Sequence, residues 1–434
     1  MTRPAIDQVR GRRIWDSRGR PTLEVEIRVR GGVVGLGAAP AGASRGDNEA
    51  IEVRDGGSHL GGWDVQRAIS IVEESVEPAL RGVDASDQAQ VDAVLDDLDP
   101  TPNRASLGGN VSVATSIAAL KAAAGHAGIP LWRYLAPEPS HIPRPEIQII
   151  GGGAHAGRAI EVQDFMVIPL SANGIGDALV QVAEVYLQVG KLLAAEHPQA
   201  GVADEGGYWP VLPNAESALA TLTTAIERTG LTPGIDMGLS LDVAGSEFFH
   251  DNLYVLASED LRLEPAAWID RLSEWVAAYP IVAIEDPVVS SDESGMREIT
   301  RRLGDEVLIV GDDYLVTSAE RIRQAGKMGT ATAALIKPNQ AGTITAAREA
   351  VEAARSVMMA TIVSARSGET EDTTVADLAT GWAADLVKVG SIARGERTAK
   401  WNQLIRIGAA LSENVQLAPF PLLGNAAHQP PARL

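Results

Sequence analysis

The 434-residue sequence contains no cysteine. Disulfide bonds, thiolate catalysis and cysteine-ligated zinc are therefore excluded. The sequence also has no run approaching the roughly 18 apolar residues that mark a membrane-spanning helix. Its N-terminus lacks the apolar segment of a signal peptide. We therefore expect no membrane span and a cytoplasmic location.

Basic residues are too few to balance the acidic ones. The chain has 37 Lys and Arg against 57 Asp and Glu, which gives a formal net charge of -20. This excess argues against nucleic acid and anionic membranes as partners. It does not exclude a small anionic substrate, because a pocket lined by Lys, Arg or a metal ion can be locally positive.

Common nucleotide-binding motifs are also missing. We find no glycine-rich dinucleotide fingerprint, no P-loop and no internal repeat. The chain is 45% hydrophobic and 22% charged, an ordinary balance for a globular protein that can bury a large core. Its length favours two or three domains.

The N-terminal part of the sequence predicts strands followed by helices. Residues 22–30 alternate apolar and polar side chains, and residues 33–38 form a partner strand after the Gly31-Gly32 turn. Three later segments have helical spacing: 64–80, 88–98 and 110–127. A proline-rich stretch over 136–145 then marks a boundary. We predict an α+β domain over residues 1–138 and a second domain over residues 139–434.

The second domain predicts an α/β barrel. Short apolar runs alternate with helical segments over roughly 250 residues, the pattern of a closed parallel barrel. The candidate strands are 147–150, 165–169, 238–243, 281–284, 307–310, 333–336, 361–363 and 386–389. An open doubly wound sheet is the alternative.

Polar side chains follow six successive apolar runs of this domain. They are Asp242, Glu285-Asp286, Asp312-Asp313, Lys337, Ser364–Ser367 and Lys388. The C-terminal strand ends of a barrel converge on one mouth, where chemistry occurs. Any single polar residue there could simply begin a loop. Six successive strand ends that all carry polar side chains indicate an active site.

Three carboxylates in this set suit a hard metal ion. Asp242, Glu285 and Asp312 offer only oxygen ligands, which Mg²⁺ prefers. The alternative is an acidic cluster paired with Lys337 and Lys388, because unpaired buried charges are costly.

At these residues the sequence resembles the enolase family, along nearly the whole chain. The most specific segment is Arg366–Thr373, which reads RSGETEDT. The other matching segments, in order, are Asp16–Gly19 with Pro21-Thr22, Gly42–Ser44 with Gly46, Gly152–Ala156, Asp204–Gly207, Leu241–Phe248, Ile284–Asp286, Gly311–Asp313, Ile336-Lys337 and Asn339-Gln340.

The resemblance implies a fold, a cofactor and a set of roles. The fold would be an enolase-type (β/α)₈ barrel of order ββαα(βα)₆ with an N-terminal α+β capping domain. Two Mg²⁺ ions would bind, the first to the three carboxylates and the second with help from Ser44. Lys337 would be the base at C2 and Glu205 the acid for the C3 hydroxyl. The resemblance assigns the remaining roles to Arg366 and Ser367 for phosphate, Lys388 for carboxylate, Asp164 as partner of the acid, and His155 beside the leaving group.

Several residues depart from the family pattern inside the site. The family histidine before the Arg-Ser pair is Ala365 here, and a methyl group cannot donate a proton. The family glutamate that partners the acid is the shorter Asp164, and Arg45 adds a cation to the family's mobile loop. Gly151 and Arg20 replace family asparagines, which we interpret as neutral drift.

Space beside Ala365 and an added cation at Arg45 favour a glycerate with a larger or more anionic 2-O-phosphorus group than phosphate. The altered pocket is similar to that of an enolase-like subgroup, the carboxyphosphonoenolpyruvate synthases of phosphinothricin-type antibiotic pathways. A housekeeping enolase, a non-catalytic binding paralogue and another superfamily reaction are the alternatives. The resemblance also suggests a homodimer or higher homo-oligomer.

Overall fold

A small antiparallel sheet and a helical layer form the N-terminal unit. The computed structural model describes residues 3–42, 49–196, 199–411 and 415–422. The sheet strands are β1 (Ile6–Trp15), β2 (Pro21–Val29) and β3 (Val34–Ala38), in the order β1-β2-β3. The helices are α1 (Gln66–Ile71), α2 (Glu77–Leu80), α3 (Gln88–Leu98), α4 (Gly109–Ala127) and α5 (Leu131–Leu135). A π-helical turn over Val72–Val76 joins α1 to α2.

Two glycines let β3 approach α4 closely. A Cβ atom at Gly37 would lie 2.2 Å from the carbonyl oxygen of Ala114, and one at Gly35 would lie 2.1 Å from that of Ala118. Helix α4 is rich in Ala, Ser and Gly and is buried over most of its length. The N-terminal unit is therefore held together by near-contact of two backbones.

The second unit contains the remaining strands and helices. Its strands are β4 (Arg144–Gly151), β5 (Asp164–Pro169), β6 (Gln199–Val202), β7 (Tyr208–Pro210), β8 (Met237–Asp242), β9 (Phe249–His250), β10 (Leu253–Leu256), β11 (Leu261–Leu263), β12 (Ile281–Glu285), β13 (Leu308–Gly311), β14 (Ala333–Ile336), β15 (Ala360–Ser364) and β16 (Leu386–Ser391). Its helices are α6 (Ile175–Glu196), α7 (Ala215–Arg228), α8 (Pro265–Ala278), α9 (Glu293–Leu303), α10 (Ala319–Met328), α11 (Pro338–Ala341), α12 (Ile344–Ser356), α13 (Thr374–Gly381) and α14 (Gly395–Ala410).

Eight of these strands close into a barrel. Their order is β4-β5-β8-β12-β13-β14-β15-β16, and β16 pairs with β4 to complete the ring. The eight apolar runs of the sequence are these eight strands, which confirms the barrel and excludes the open sheet. The succession of two strands, two helices and six strand–helix units is the ββαα(βα)₆ order.

One strand of the barrel is antiparallel, although the alternation of strands and helices predicted a wholly parallel barrel. Strand β5 runs antiparallel to β4 and to β8, whereas the other six neighbouring pairs are parallel. Strand β5 follows β4 without an intervening long helix, so the chain turns back instead of crossing over. The N-terminal end of β5 therefore lies at the same mouth as the C-terminal ends of its neighbours.

The sequence patterns did not predict several elements of the structure, most of them short. Strand β1 carries four Arg and Asp side chains among its ten residues, which hides its alternation. The β6–β7 hairpin and the small β9–β10–β11 sheet have strands of two to four residues. Such lengths carry too few side chains for a period to show.

Helix α6 departs from the expectation that no segment could span a membrane. It is long and apolar enough over Ile175–Ala195, although only 39% of that window is buried. One face, with Ala178, Val182, Val185 and Val189, is buried in the protein core. Core packing accounts for the apolar residues of this face.

We predict that Gly37→Ala lowers the free energy of unfolding by at least about 2 kcal/mol, because the new methyl group must displace the α4 backbone. Chemical denaturation measures the change. Gly176→Ala on α6 is the matched control, since nothing lies within 4 Å of a Cβ there. A Gly37→Ala protein as stable as this control would contradict the close approach of β3 and α4.

Candidate active site

Three carboxylates meet at the mouth of the barrel. Asp242 and Glu285 are the last residues of β8 and β12 and pair directly in the sheet register. Asp312 follows the last residue of β13, the next strand of the ring. All three are buried, so the parallel strands bring together the acidic groups that the sequence suggested.

The two predicted lysines hold these carboxylates. The Nζ atom of Lys388 donates hydrogen bonds to Asp242 Oδ2 at 3.1 Å and Glu285 Oε2 at 2.6 Å. The Nζ atom of Lys337 donates to Asp312 Oδ2. The acidic cluster is thus paired with lysines, as the alternative interpretation of the sequence proposed. This pairing satisfies five buried charges at once.

The pKa of Lys337 is raised, although a cationic surrounding would lower the pKa of a lysine that acts as a base. Burial lowers the pKa, and Arg366 lowers it further, but the adjacent Asp312 carboxylate raises it, and the net pKa lies above the usual value for lysine. The pKa of Lys388 lies well above its usual value, because Asp242 and Glu285 outweigh the effect of burial. Both lysines are therefore charged at neutral pH.

The donor set fits a hard divalent cation. The Oε1 atom of Glu285 is buried without a hydrogen-bond partner in the described part of the chain. Burial, followed by the nearby Asp242, raises the pKa of Glu285 well above its usual value. A divalent cation bound by these oxygens would give Oε1 of Glu285 a partner and would stabilise the charged form of its carboxylate. Asp242, Glu285 and Asp312 are the residues that would hold it.

Two other acidic groups lie close enough to share a cation. The ligand atoms of His155, Asp164 and Glu205 lie within 4.8 Å of one another, as do those of Asp286, Asp312 and Asp313. Asp286 accepts the backbone N–H groups of Asp312 and Asp313, at 2.9 Å and 2.7 Å. We interpret Asp286 as a residue that shapes this loop.

Asp164 reaches the mouth because β5 is antiparallel. It is the first residue of β5 and lies opposite Asp242 in the sheet register. His155 Nδ1 lies 3.0 Å from each carboxylate oxygen of Asp164. Gln148 donates to Asp164 and accepts the N–H of Gly207 at 2.8 Å, which ties Asp164 to the turn that carries Glu205.

His155 is the protonated residue in the group formed by His155, Asp164 and Glu205. Burial alone would lower the pKa of His155, but Asp164 and Glu205 raise it to about 9. Burial raises the pKa of Asp164 to about 6, while His155 opposes the rise. The pKa of Glu205 is lowered, because His155, Arg397 and the lysines outweigh burial. Glu205, the expected acid, is thus ionised at neutral pH and must take up a proton before it can act as an acid.

The opposite side of the mouth is cationic. Arg366 donates from its NH1 atom to Glu49 Oε2 at 3.0 Å and Asn339 Oδ1 at 3.2 Å. Burial would lower the pKa of Arg366, but Glu49 and Asp312 raise it above its usual value. Arg397 is fully buried and donates to the carbonyl oxygens of Arg366 and Ser367, which fixes the backbone of this segment.

Ala365 lies in the wall of the central cavity. Its backbone N–H donates to the carbonyl oxygen of Lys388 at 2.9 Å, so its place is fixed by the β15–β16 junction. The cavity has a water-accessible volume of about 30 Å³. Its lining residues are Gly42, His155, Gln163, Glu205, Asp242, Asp312, Lys337, Ser364, Ala365, Arg366, Ser367 and Lys388. Nine predicted site residues thus line one cavity.

Two predicted residues, Ser44 and Arg45, lie outside the described residues. Two other departures from the family acquire a structural reason. A Cβ at Gly151 would lie 2.3 Å from the Cβ of Ala203, so a larger residue does not fit there. The guanidinium of Arg20 stacks on Trp63 at 4.4 Å, a favourable cation–π geometry. These contacts describe the two positions in this chain, and neutral drift stays our interpretation of both.

Sequence reasoning missed several polar residues of the barrel interior. Glu146 on β4 accepts a hydrogen bond from Ser240, and it lies opposite Lys388 in the sheet register. Burial raises its pKa, so this extra carboxyl group favours its neutral form. The signal was the alternation of Arg144, Glu146 and Gln148 in an otherwise apolar strand. Nothing in the sequence indicates that Glu49, far upstream, contacts Arg366.

Two family models together match most of the chain. The model described as "Enolase, N-terminal domain" matches residues 6–135. The model described as "Enolase, C-terminal TIM barrel domain" matches residues 139–421. The predicted division at residues 138 and 139 stays a prediction, as do the individual roles of the site residues.

We predict that Mg²⁺ stabilises the protein through the three carboxylates. The expected gain is about 2.7 kcal/mol in the free energy of unfolding at a Mg²⁺ concentration roughly 100 times the dissociation constant. Asp242→Asn and Glu285→Gln should each remove the gain, and thermal unfolding with and without Mg²⁺ measures it. Glu293→Gln on the exposed face of α9 is the control. An undiminished gain in Glu285→Gln would refute the assignment.

We also predict that His155 stabilises the fold most at lower pH. Its folded pKa of about 9 exceeds the ordinary histidine pKa of 6.5, so its contribution is complete below pH 6.5 and is lost as pH rises through 9. The stability difference between wild type and His155→Gln should shrink by about 2–3 kcal/mol between about pH 7 and pH 10.

Denaturant unfolding at several pH values measures this difference. His250→Gln, which removes an exposed histidine of β9, is the control and should show no such trend. A difference that stays constant with pH would show that His155 does not hold an extra proton in the folded state.

Proposed function

The chain belongs to the enolase family, and on that premise we propose that it is a Mg²⁺-dependent lyase. It would eliminate water from a glycerate that carries a phosphorus group on its 2-oxygen, and the product would be an enolpyruvate. The support is that Lys337, His155 and Glu205 line one cavity with Asp242 and Asp312 at the barrel mouth. A base and an acid on one substrate cavity are what proton removal at C2 and loss of a C3 hydroxyl would need.

Lys337 would remove the C2 proton. It lines the cavity, and its Nζ atom donates to Asp312. A lysine can accept a proton only when it is neutral, and Asp312 favours its charged form. The base role therefore requires that another cation take up the charge of Asp312. Mg²⁺ held by Asp242, Glu285 and Asp312 would supply Lewis-acid stabilisation for the negative charge of the enolised carboxylate.

The proton for the leaving hydroxyl would come from the His155 side of the cavity. Glu205 would receive the proton from His155 and pass it to the C3 oxygen, since both side chains line the same space. Asp164 would hold the imidazole ring in place through Nδ1. Lys388, charged and central, would bind the substrate carboxylate.

One observation favours a specialised substrate. Ala365 places a methyl group in the cavity wall between Ser364 and Arg366, where the family pattern has an imidazole ring. The carboxylates and lysines of the site match the family pattern, as do Arg366 and Ser367, whereas Asp164, Ala365 and Arg45 depart from it. We therefore favour a reaction like that of carboxyphosphonoenolpyruvate synthase, in phosphonate or phosphinate antibiotic biosynthesis.

A housekeeping enolase, which converts 2-phosphoglycerate to phosphoenolpyruvate, is the second candidate. It is favoured by the complete set of carboxylates and lysines. A non-catalytic binding paralogue is a weaker candidate, because it would not need Lys337 beside the metal-competent cluster. The cytoplasmic location, the dimer and the lack of nucleic-acid or membrane partners stay predictions.

We predict that the purified protein with Mg²⁺ forms little enolpyruvate from 2-phosphoglycerate, measured by ultraviolet absorbance. Ala365→His should raise the rate by less than about 10-fold, because Asp164 and Arg45 also differ from the family. Ala365→Val, which fills the space without an imidazole, is the control.

Turnover of 2-phosphoglycerate near that of a typical enolase would contradict the specialised substrate. If Ala365→His raised the rate with 2-phosphoglycerate by about 100-fold or more, which is the size of a general acid's contribution, a housekeeping enolase would be favoured. Elimination from neither a phospho- nor a carboxyphosphono-glycerate would favour the binding paralogue.

A further inference from the structure

One buried carboxyl group of the barrel interior has no role in the proposed reaction. Glu146 on β4 is 1% exposed, and its Oε1 atom accepts a hydrogen bond from the Oγ atom of Ser240. Its other oxygen, Oε2, is buried without a hydrogen-bond partner among the described residues. A buried polar atom without a partner costs free energy, so a donor that came within reach of Oε2 would be bound there.

Glu146 lies one layer below the charged cluster of the barrel mouth. It is opposite Lys388 in the parallel register of β4 and β16, and neighbouring strands lie about 4.8 Å apart. Ser240 precedes Asp242 by two residues on β8, so the two side chains are on the same face of the strand. The ammonium of Lys388 reaches Asp242 and Glu285 from a strand position level with Glu146.

Glu146 and Lys388 already interact electrostatically. Burial raises the pKa of Glu146, and Lys388 opposes the rise. Burial lowers the pKa of Lys388, but Asp242 and Glu285 raise it, and Asp164 and Glu146 add to the rise. Of these four carboxyl groups, Glu146 is the one that is neither a candidate metal ligand nor the partner of the site histidine.

A metal ion at the carboxylates would take away the partners of Lys388. Asp242 and Glu285 accept the hydrogen bonds of its ammonium, and they are also two of the three residues that would hold Mg²⁺. A buried ammonium that loses both acceptors is costly unless another carboxylate compensates it. Glu146 lies opposite Lys388 and has an oxygen without a partner in the described part of the chain.

We propose that Glu146 is a positioning residue, which holds the ammonium of Lys388 when a divalent cation binds Asp242 and Glu285. This inference rests on the metal site of the proposed function. Ser240 would fix the carboxyl group through Oε1, and Oε2 would accept from Lys388. The lysine would then stay charged and in place for the substrate carboxylate. Glu146 and Ser240 lie outside the segments that carry the family resemblance, so the resemblance does not account for this pair.

A double-mutant cycle on Mg²⁺ affinity tests this role without a substrate. Titration calorimetry at neutral pH measures Mg²⁺ binding to wild type, Glu146→Gln, Lys388→Gln and the double variant, and thermal unfolding checks that each folds. Glu146→Gln keeps the shape of the side chain and an acceptor for Ser240, but it removes the carboxylate. Glu293→Gln, which removes an exposed carboxylate from α9, is the control.

Glu146→Gln should weaken Mg²⁺ binding at least about 10-fold in the wild-type background, the size of a hydrogen bond between charged groups. In the Lys388→Gln background the same change should weaken it less than about 3-fold, the size of a well-screened charge interaction, because no ammonium is left to hold. Glu146→Asp, which shortens the side chain but keeps the carboxylate, should lie between wild type and Glu146→Gln. Glu293→Gln should bind Mg²⁺ like wild type. If Glu146→Gln does not fold, Glu146→Asp in the two backgrounds decides.

Equal weakening in both backgrounds would overturn the proposal, since Glu146 would then act on the metal site by its charge alone. Unchanged affinity in Glu146→Gln, or wild-type protein that binds no Mg²⁺, would overturn it as well. Coupling of Glu146 to Lys388 in a protein without elimination activity would refute the proposed function while leaving this role in place. Elimination activity without the coupling would refute only the role of Glu146.

Discussion

The structure of the barrel mouth depends on the contact of Lys388 with Asp242 and Glu285. These three charged groups are each at most 5% exposed, and buried charges are tolerated only when they are paired and hydrogen-bonded. Lys388 supplies one positive charge between two carboxyl groups, while Lys337 pairs with Asp312 on the adjacent strand. Removal of either lysine would leave buried carboxylates without that counter-charge. The same pairing keeps the oxygens close together, ready for a metal ion that could replace the lysines as their partner.

The reversed direction of β5 has an equally large effect on the chemistry. If β5 were parallel to its neighbours, Asp164 at its start would lie at the end of the barrel opposite the cavity. The reversal places Asp164 opposite Asp242 in the sheet, where its carboxylate contacts Nδ1 of His155 and favours the protonated imidazole. Gln148 then links the same carboxylate to the turn of Glu205. The acid side of the site is therefore a consequence of one strand's orientation.

The two sides of the cavity differ in how completely their charges are matched. Around Asp242, Glu285 and Asp312, lysines and carboxylates pair directly. Near Ala365, Arg366 has Glu49 as a counter-charge, and Arg397 donates to the carbonyl oxygens of Arg366 and Ser367. The second group therefore relies on backbone acceptors as well as on an ion pair.

The apolar runs predicted the eight barrel strands and the residues that end them, because buried strands need apolar side chains, and the long RSGETEDT segment carried the family resemblance. The residue pattern could not show that Asp312 keeps Lys337 charged or that His155 is protonated beside Asp164. Nor could it show that Glu146 and Glu49 contact residues of the site. These properties depend on distances between residues that are remote in the chain, since pKa values follow burial and neighbouring charge. The closure of the ring and the reversal of β5 set these distances, because they determine which side chains meet.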